Sequence, residues 1–217
     1  LEALVKQTFK DFNIIVVDGS EGEDTREVCN EFSNLLNICY IKSLRPGLSK
    51  ARQLIAEKCQ SDLLLYIDDD VYLSKDCVAK LLDCYNSLKE KNCIISGQVR
   101  YFGRLTTPIK LTPEGGEVSA SASEADYFIG ALMLVPKSVY KSIPWSERFV
   151  DWGFEEVLYF LMGRRRGIKL FWIPHLLADH DGEYSENRFK VGTETNRVYT
   201  MLYKHIVAEP SILNLLI

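Results

Sequence analysis

Three consecutive carboxylates, Asp68-Asp69-Asp70, stand directly after the apolar run Leu63-Leu64-Leu65-Tyr66-Ile67. Charges so close repel one another. If the chain stays extended, Asp68 and Asp70 project to the same side, where a shared divalent cation would offset that repulsion. Hard oxygen donors favour Mg²⁺ or Mn²⁺ over zinc. An isolated acidic triplet is equally a solvated turn, but its position at the end of an apolar strand weighs towards a ligand site. A second strand end carries Asp18-Gly19-Ser20, which can hydrogen-bond a base or ribose edge or serve as an ordinary turn. Between the two lies Gly47-Leu48-Ser49-Lys50-Ala51-Arg52, opening a helix. Arg52 there is either a surface residue or a partner for a diphosphate or base.

A third cluster, Asp151-Trp152-Gly153-Phe154-Glu155-Glu156, also opens a helix. Glu155 and Glu156 could simply stabilise the helix dipole. Beside a metal and an apolar Trp, one of them could instead act as general base on a hydroxyl, the step that sugar transfer requires. His180, bracketed by Asp179, Asp181 and Gly182, fits a metal ligand better than a core histidine. His175 and His205 are read as structural.

The elements that must position these groups alternate. Phe12 to Val17, Ile38 to Lys42, Leu63 to Ile67 and Ile94 to Val99 read as buried strands. Helical spacing links Thr25, Val28, Cys29, Phe32 and Leu36, and a helix over Ser49 to Lys58 turns Ala51, Leu54 and Ile55 inward. Ser74 is expected to cap a helix burying Val78, Leu81, Leu82 and Tyr85. This order predicts βαβ crossovers and a mainly parallel central sheet with helices on both faces. Such sheets bind ligands beyond the carboxyl ends of their strands.

Residues 101–125, with Pro108, Pro113, Gly115-Gly116 and a Ser/Ala run, read as a long mobile loop. Beyond it come a strand over Tyr127 to Val135, a helix from about Phe154 to Arg166 and a strand Ile168 to Ile173 ending at Pro174. A last helix over 194–207 carries Val198, Met201, Leu202 and Ile206 on one side.

Composition sets the limits. At 217 residues, 47% apolar and 26% charged, the chain fits one globular domain and excludes collagen-like, disordered and coiled-coil classes. A formal net charge of −4 argues against a dedicated nucleic-acid binder. No window approaches a membrane-spanning run, and the start Leu1-Glu2-Ala3-Leu4-Val5-Lys6 reads as neither signal nor transit peptide. The six cysteines form no CxxC pair and read as reduced core thiols, which suits a cytoplasmic protein.

Taken in order, these segments resemble the family 2 glycosyltransferases, which have the nucleotide-sugar-binding GT-A fold. Ile14-Ile15-Val16-Val17-Asp18-Gly19-Ser20 is similar to the family's second strand, Gly47 to Arg52 to its Gly-x-x-x-Ala-Arg segment, and Asp68-Asp69-Asp70 to its DxD motif. Gly130-Ala131 fits a small-residue strand near the acceptor. Trp152-Gly153-Phe154-Glu155-Glu156 resembles the Trp-Gly-x-Glu-Asp segment of galactosyltransferase-like members. The resemblance implies that Asp18 and Arg52 contact the nucleotide, Asp68 the ribose with Asp69 beside it, and Asp70 and His180 the metal, Mg²⁺ or Mn²⁺. It makes Glu156 the catalytic base and Glu155 the group that orients the acceptor, with inversion as the outcome.

The implied donor is a nucleotide-diphosphate sugar, UDP-linked being the commonest in the family. The acceptor is a glycan, lipid-linked or other hydroxyl compound, with peripheral contact at the cytoplasmic face of a membrane left open by the apolar tail Ile212 to Ile217. Four departures stand out. A single Asp precedes Gly19, Arg45 stands where Asn is usual, Glu156 replaces Asp, and the family's opening strand is absent. The expectation is therefore a single GT-A domain over residues 1–217 without its first strand, residues 101–125 forming the acceptor loop. The alternatives are a non-catalytic nucleotide-sugar-binding module and a haloacid-dehalogenase-type phosphatase. The phosphatase needs Thr where this chain has Tyr72.

Overall fold

The structure is a computed structural model, and it describes residues 1–44, 47–101, 103–149, 153–180 and 191–210. Arg45, Asp151, Trp152 and the tail Ile212 to Ile217 lie outside the described residues. After a short helix α1 (Glu2–Val5) the chain forms β1 (Ile14–Asp18), α2 (Asp24–Glu31), β2 (Ile38–Lys42), α3 (Leu48–Lys58), β3 (Leu63–Ile67), β4 (Val71–Leu73), α4 (Cys77–Ser87) and β5 (Cys93–Tyr101). The second half holds the small strands β6 (Arg104–Leu105), β7 (Ile109–Leu111) and β8 (Glu117–Ser119). It continues through β9 (Leu132–Pro136), α5 (Lys137–Tyr140), α6 (Glu155–Arg165), β10 (Lys169–His180), α7 (Val191–Tyr203) and a π-helical turn, Lys204–Ala208.

The central sheet runs β3-β9-β5-β10-β4, with β6 beside β5, while β1 and β2 pair in parallel as a separate ribbon. Side chains alternate across the sheet, so its two faces carry two hydrophobic clusters. Leu64 and Tyr66 join residues of α3 and α6 on one face. Leu63, Leu65 and Ile67 meet Leu81 of α4 and Leu4 of α1 on the other. Helices therefore cover both faces, as expected.

The sheet is mixed rather than mainly parallel. β10 is parallel to β5, but β9 is antiparallel to both β3 and β5, and β4 is antiparallel to β10. All five residues of β9 are buried, and a strand apolar on both faces carries no mark of its direction. β10 does not stop at Pro174. It passes through register shifts between Ile173 and Ala178 and ends at His180, because a strand tolerates Pro where the ladder is already interrupted.

Residues 101–125 are not a structureless loop. Ile109 to Leu111 pair with Glu117 to Ser119 in a hairpin, tied down where Leu111 N–H donates to Asp126 Oδ2 at 2.8 Å. Helix α4 begins at Cys77 without a side-chain cap, Ser74 Oγ bonding Asp76 instead. In α3 the fully buried positions are Ser49, Arg52 and Ala56, while of the expected inward residues Ile55 packs half-buried against the core and Ala51 and Leu54 are half-buried. The largest reversal is α7. Val198, Leu202 and Ile206 face solvent while Thr193, Asn196, Thr200 and Lys204 are buried with Met201.

No helix among the described residues is long and apolar enough to cross a membrane. All six cysteines are free thiols, four of them buried.

Candidate active site

Asp18, Arg52, Asp68, Asp69, Asp70, Glu155, Glu156 and His180 all line one cleft. They arrive from five elements or their ends, and the fold places each. Asp18 closes β1, and Asp68 to Asp70 form the turn between β3 and β4. His180 ends β10, opposite Val71 of β4 in the antiparallel ladder, so its imidazole returns over the acidic turn. His180 Nε2 lies 3.2 Å from Asp70 Oδ1, and its ring packs edge-on against Tyr101 with centroids 4.6 Å apart.

Asp68, Asp70 and His180 each offer a ligand atom within 4.8 Å of the others. Two carboxylates and an imidazole form a donor set that Mn²⁺ or Mg²⁺ accepts. Burial pushes the Asp70 carboxyl up, opposed by His180 and reinforced by the neighbouring carboxylates Asp68 and Asp69. The turn thus carries a repulsion that a cation would relieve.

Arg52 is the hub of the second half. It is 4% exposed, so it is not the surface residue its helix position allowed. Its Nη2 donates to Asp68 Oδ1 at 2.8 Å and to the Gly130 carbonyl at 3.3 Å, while Nη1 stands 3.8 Å from Glu155 Oε1. Below it the Trp145 ring sits 4.9 Å from the guanidinium carbon, a cation–π contact strengthened by burial. Trp145 in turn stacks on Tyr159 and donates its Nε1–H to Tyr66 at 3.1 Å. This shelf holds Arg52 between the acidic turn and α6.

The α6 start is shaped by strain. Gly153 has φ 106° and Phe154 φ 67°, a left-handed conformation that costs a bulky residue free energy. Two bonds hold it there: Gly153 N–H donates to Glu155 Oε2 at 2.7 Å, and Asn196 of α7 donates to the Gly153 carbonyl at 3.0 Å. Glu155 is thereby committed to the backbone and to Arg52. Burial raises its carboxyl, with Arg52 pulling the other way.

Glu156 is different. Its Oε2 is sealed from solvent and has no hydrogen-bond partner among the described residues. Burial first, then the Glu155 charge, push its carboxyl up to about 8, against Arg52. Gly130 makes room for it: a Cβ there would lie 2.9 Å from Glu156 Cβ. A carboxyl with one oxygen unpartnered among the described residues and a raised pKa, facing a cleft, suits a general base near neutral pH.

Asp18 is placed in the cleft but is already engaged. Its Oδ2 accepts from Tyr40 at 2.7 Å and Lys42 at 2.9 Å, and Oδ1 accepts from Ser20 N–H at 2.8 Å. Those bonds, Tyr40 first, hold it well below the usual carboxylate range. Asp69 is exposed at the rim. The residues missed in the sequence are Trp145, Tyr66 and Asn196, which act through contacts that no local spacing announces.

The chain is 30% identical over 82 residues to Glycosyltransferase GlyA of Streptococcus pneumoniae serotype 4 (strain ATCC BAA-334 / TIGR4), covering 37% of this chain and 12% of that protein. The structure of S. aureus TarS 1-349 in complex with UDP-GlcNAc superposes with a TM-score of 0.68 at 15% identity, over 97% of this chain and 62% of that one. The mannosyltransferase PcManGT from Pyrobaculum calidifontis, in complex with GDP-Man and Mn²⁺, gives 0.69 at 10% identity over 98% and 61%. The chain therefore has a GT-A fold, and it spans less than two thirds of each of these relatives. A family model described as Glycosyl transferase family 2 matches residues 1–141, and the chain belongs to that family.

Proposed function

We propose that this chain is the donor-binding and catalytic part of a metal-dependent glycosyltransferase that moves a sugar from a nucleoside diphosphate sugar to an acceptor hydroxyl with inversion. The observation that carries the reading is the placement of Glu156, whose Oε2 is sealed and unpartnered among the described residues, in the same cleft as the Asp68, Asp70 and His180 cluster. Asp70 and His180, with Asp68 in reach, would hold Mn²⁺ or Mg²⁺, which when bound supplies positive charge opposite a diphosphate. PcManGT, which shares the fold, is solved with a nucleotide sugar and Mn²⁺.

Glu156 takes the proton of the acceptor hydroxyl as its oxygen attacks the anomeric carbon from the face opposite the diphosphate. The bond between that carbon and the diphosphate oxygen breaks, and the configuration inverts. Arg52 keeps Asp68 and Glu155 at fixed positions on either side of the reacting sugar. Glu155, bonded to Gly153, fixes the α6 start that presents Glu156. UDP is the base we favour, since TarS, like this chain a GT-A protein, is solved with UDP-GlcNAc. The β7–β8 hairpin brings Glu117 to the cleft wall, where Tyr127 donates to it, and forms the acceptor side.

The test is incubation with Mn²⁺ and a panel of UDP-sugars, following UDP release and UDP binding. Glu156→Gln is expected to lower turnover by ~10²-fold or more while UDP still binds, and Asp70→Ala to abolish Mn²⁺-dependent binding. Turnover unchanged in Glu156→Gln would remove the base assignment. Binding without turnover in the unmodified chain would favour a non-catalytic nucleotide-sugar module.

A further inference from the structure

Helix α7 buries the side that an amphipathic pattern would expose. Thr193, Asn196 and Thr200, with Lys204 just beyond the helix, recur at helical spacing and lie inside, while Val198, Leu202 and Ile206 face solvent. Rotating the helix would bury the apolar stripe instead, so the contacts of the polar one outweigh that area. Lys204 serves Asp126. The amino-terminal half of the stripe closes on one residue of another element, Gly153. Asn196 Nδ2 donates to its carbonyl at 3.0 Å, and Thr193 Cγ2 stands 2.9 Å from where a Cβ on it would lie.

That grip falls on the turn that decides how α6 begins. Phe154, the residue that opens α6, is the one non-glycine residue with positive φ among the described residues, and it makes no side-chain capping bond. A left-handed Phe behind a left-handed Gly persists only where its surroundings over-determine it. Glycine supplies no resistance of its own, because it populates positive and negative φ alike. Of the two bonds to Gly153, the one to Glu155 lies within the turn and moves with it. The Asn196 bond is the one anchored in another element. Beyond the turn the clearance is small. The first residues of α6 bring Glu155 to Arg52 and set Glu156 so close to Gly130 that a Cβ there would lie 2.9 Å from Glu156 Cβ.

We propose that Asn196 is a positioning residue for sugar transfer: by holding the Gly153 carbonyl from α7 it fixes the left-handed entry to α6, and with it the line along which Glu156 meets the acceptor. The proposal rests on the reading of Glu156 as the base. In this role Asn196 touches neither donor nor acceptor. Without its amide the Gly153 peptide is released to rotate, Phe154 relaxes to a right-handed conformation and the entry to α6 shifts, carrying Glu156 out of its sealed position. A displacement of about 1 Å at a catalytic group costs on the order of 10²-fold in rate. The donor and metal contacts on the β3–β4 turn stay where they are. An asparagine that merely stabilised the fold would lower the unfolding temperature and leave the turnover of the folded molecule alone.

Two variants test this, Asn196→Ala and Asn196→Asp, the second keeping the shape while removing the N–H donor. Both should lower kcat with UDP-sugar and Mn²⁺ by ~10²-fold and leave the donor KM within about twofold of the parent. A second readout is independent of turnover: titration of the Glu156 carboxyl by carbon NMR, its resonance assigned by its loss in Glu156→Gln. In both variants its midpoint should fall towards the ordinary carboxylate range as the group reaches water. Thr200→Val, which alters the same buried stripe at a hydroxyl with no hydrogen-bond partner among the described residues, should leave both readouts at parent values. The proposal is overturned if kcat is unchanged, if the loss lies in donor KM, if Glu156 titrates as in the parent, or if Thr200→Val has the same effects. Should Asn196→Ala fail to fold, Asn196→Asp decides. Failure of the sugar-transfer reading shows separately, as a parent without turnover, and the titration then still decides whether Asn196 sets the place of Glu156.

Discussion

At Glu156 the cost of burying charge holds one carboxyl in its protonated form, and that has consequences for both rate and stability. Its folded value of about 8 lies above the ordinary 4.5. The folded state therefore binds a proton that the unfolded state releases, and this contribution to stability is complete below about pH 4.5 and lost as pH rises towards 8. Glu156→Gln keeps the neutral form at every pH. The variant should unfold at the same temperature as the parent near pH 5 and at a higher temperature at pH 8, checked by thermal unfolding across that range. A parallel decline of both proteins would show that Glu156 does not carry the proton. In the proposed role as base, Glu156 needs its other, ionised form, so the parent's rate should climb with pH up to about 8. The acidic and basic side chains of the cleft could be read in the sequence because carboxylates at strand ends and helix starts advertise themselves. Trp145 beneath Arg52 could not, because an indole in a Pro/Trp turn reads as packing until the guanidinium above it is seen.

At the scale of elements, Asp126 decides how the β7–β8 hairpin is held. Its Oδ2 accepts from Leu111 N–H and from the buried Lys204, and its Oδ1 accepts from Arg164, so one carboxylate joins β7, α6 and the π-helical turn. Removing its charge leaves Lys204, 4% exposed, with Glu209 at 3.6 Å as its remaining ion-pair partner among the described residues. Asp126→Asn should cost about 3 kcal/mol, measured by urea unfolding, and should speed proteolysis within 109–119. A loss of less than about 0.5 kcal/mol would mean that Glu209 takes over. The sequence hid this arrangement twice. β7 and β8 are three residues each with mostly exposed side chains, too short for a periodic signal. In α7 the apolar stripe pointed the wrong way, because the inward positions are occupied by Asn196 and Lys204 serving Gly153 and Asp126. Periodicity reports which residues are apolar, and here polar bonds outweighed it.

Across the whole molecule, the alternation of strands and helices up to β5 was legible, because each strand is a short apolar run between punctuating residues. Strand direction and partner were not, since they are settled by what lies far away in the chain. Leu65 pairs with Leu134, and Ile95 with both Leu134 and Phe171, partners tens of residues distant. That register has a kinetic consequence. Loops this long must close before their hydrogen bonds repay the lost entropy, so the sheet is expected to form in milliseconds to seconds, well after the helices. Arg52 of α3 and Glu155 of α6 lie far apart in the chain, so their contact is expected to form only once β9 has joined β3 to β5. In a stopped-flow refolding experiment, helical circular dichroism should return first and fluorescence from the buried Trp145 later. If the two signals returned together, the shelf under Arg52 would be formed by local collapse, and the assembly of the cleft would not wait for the sheet.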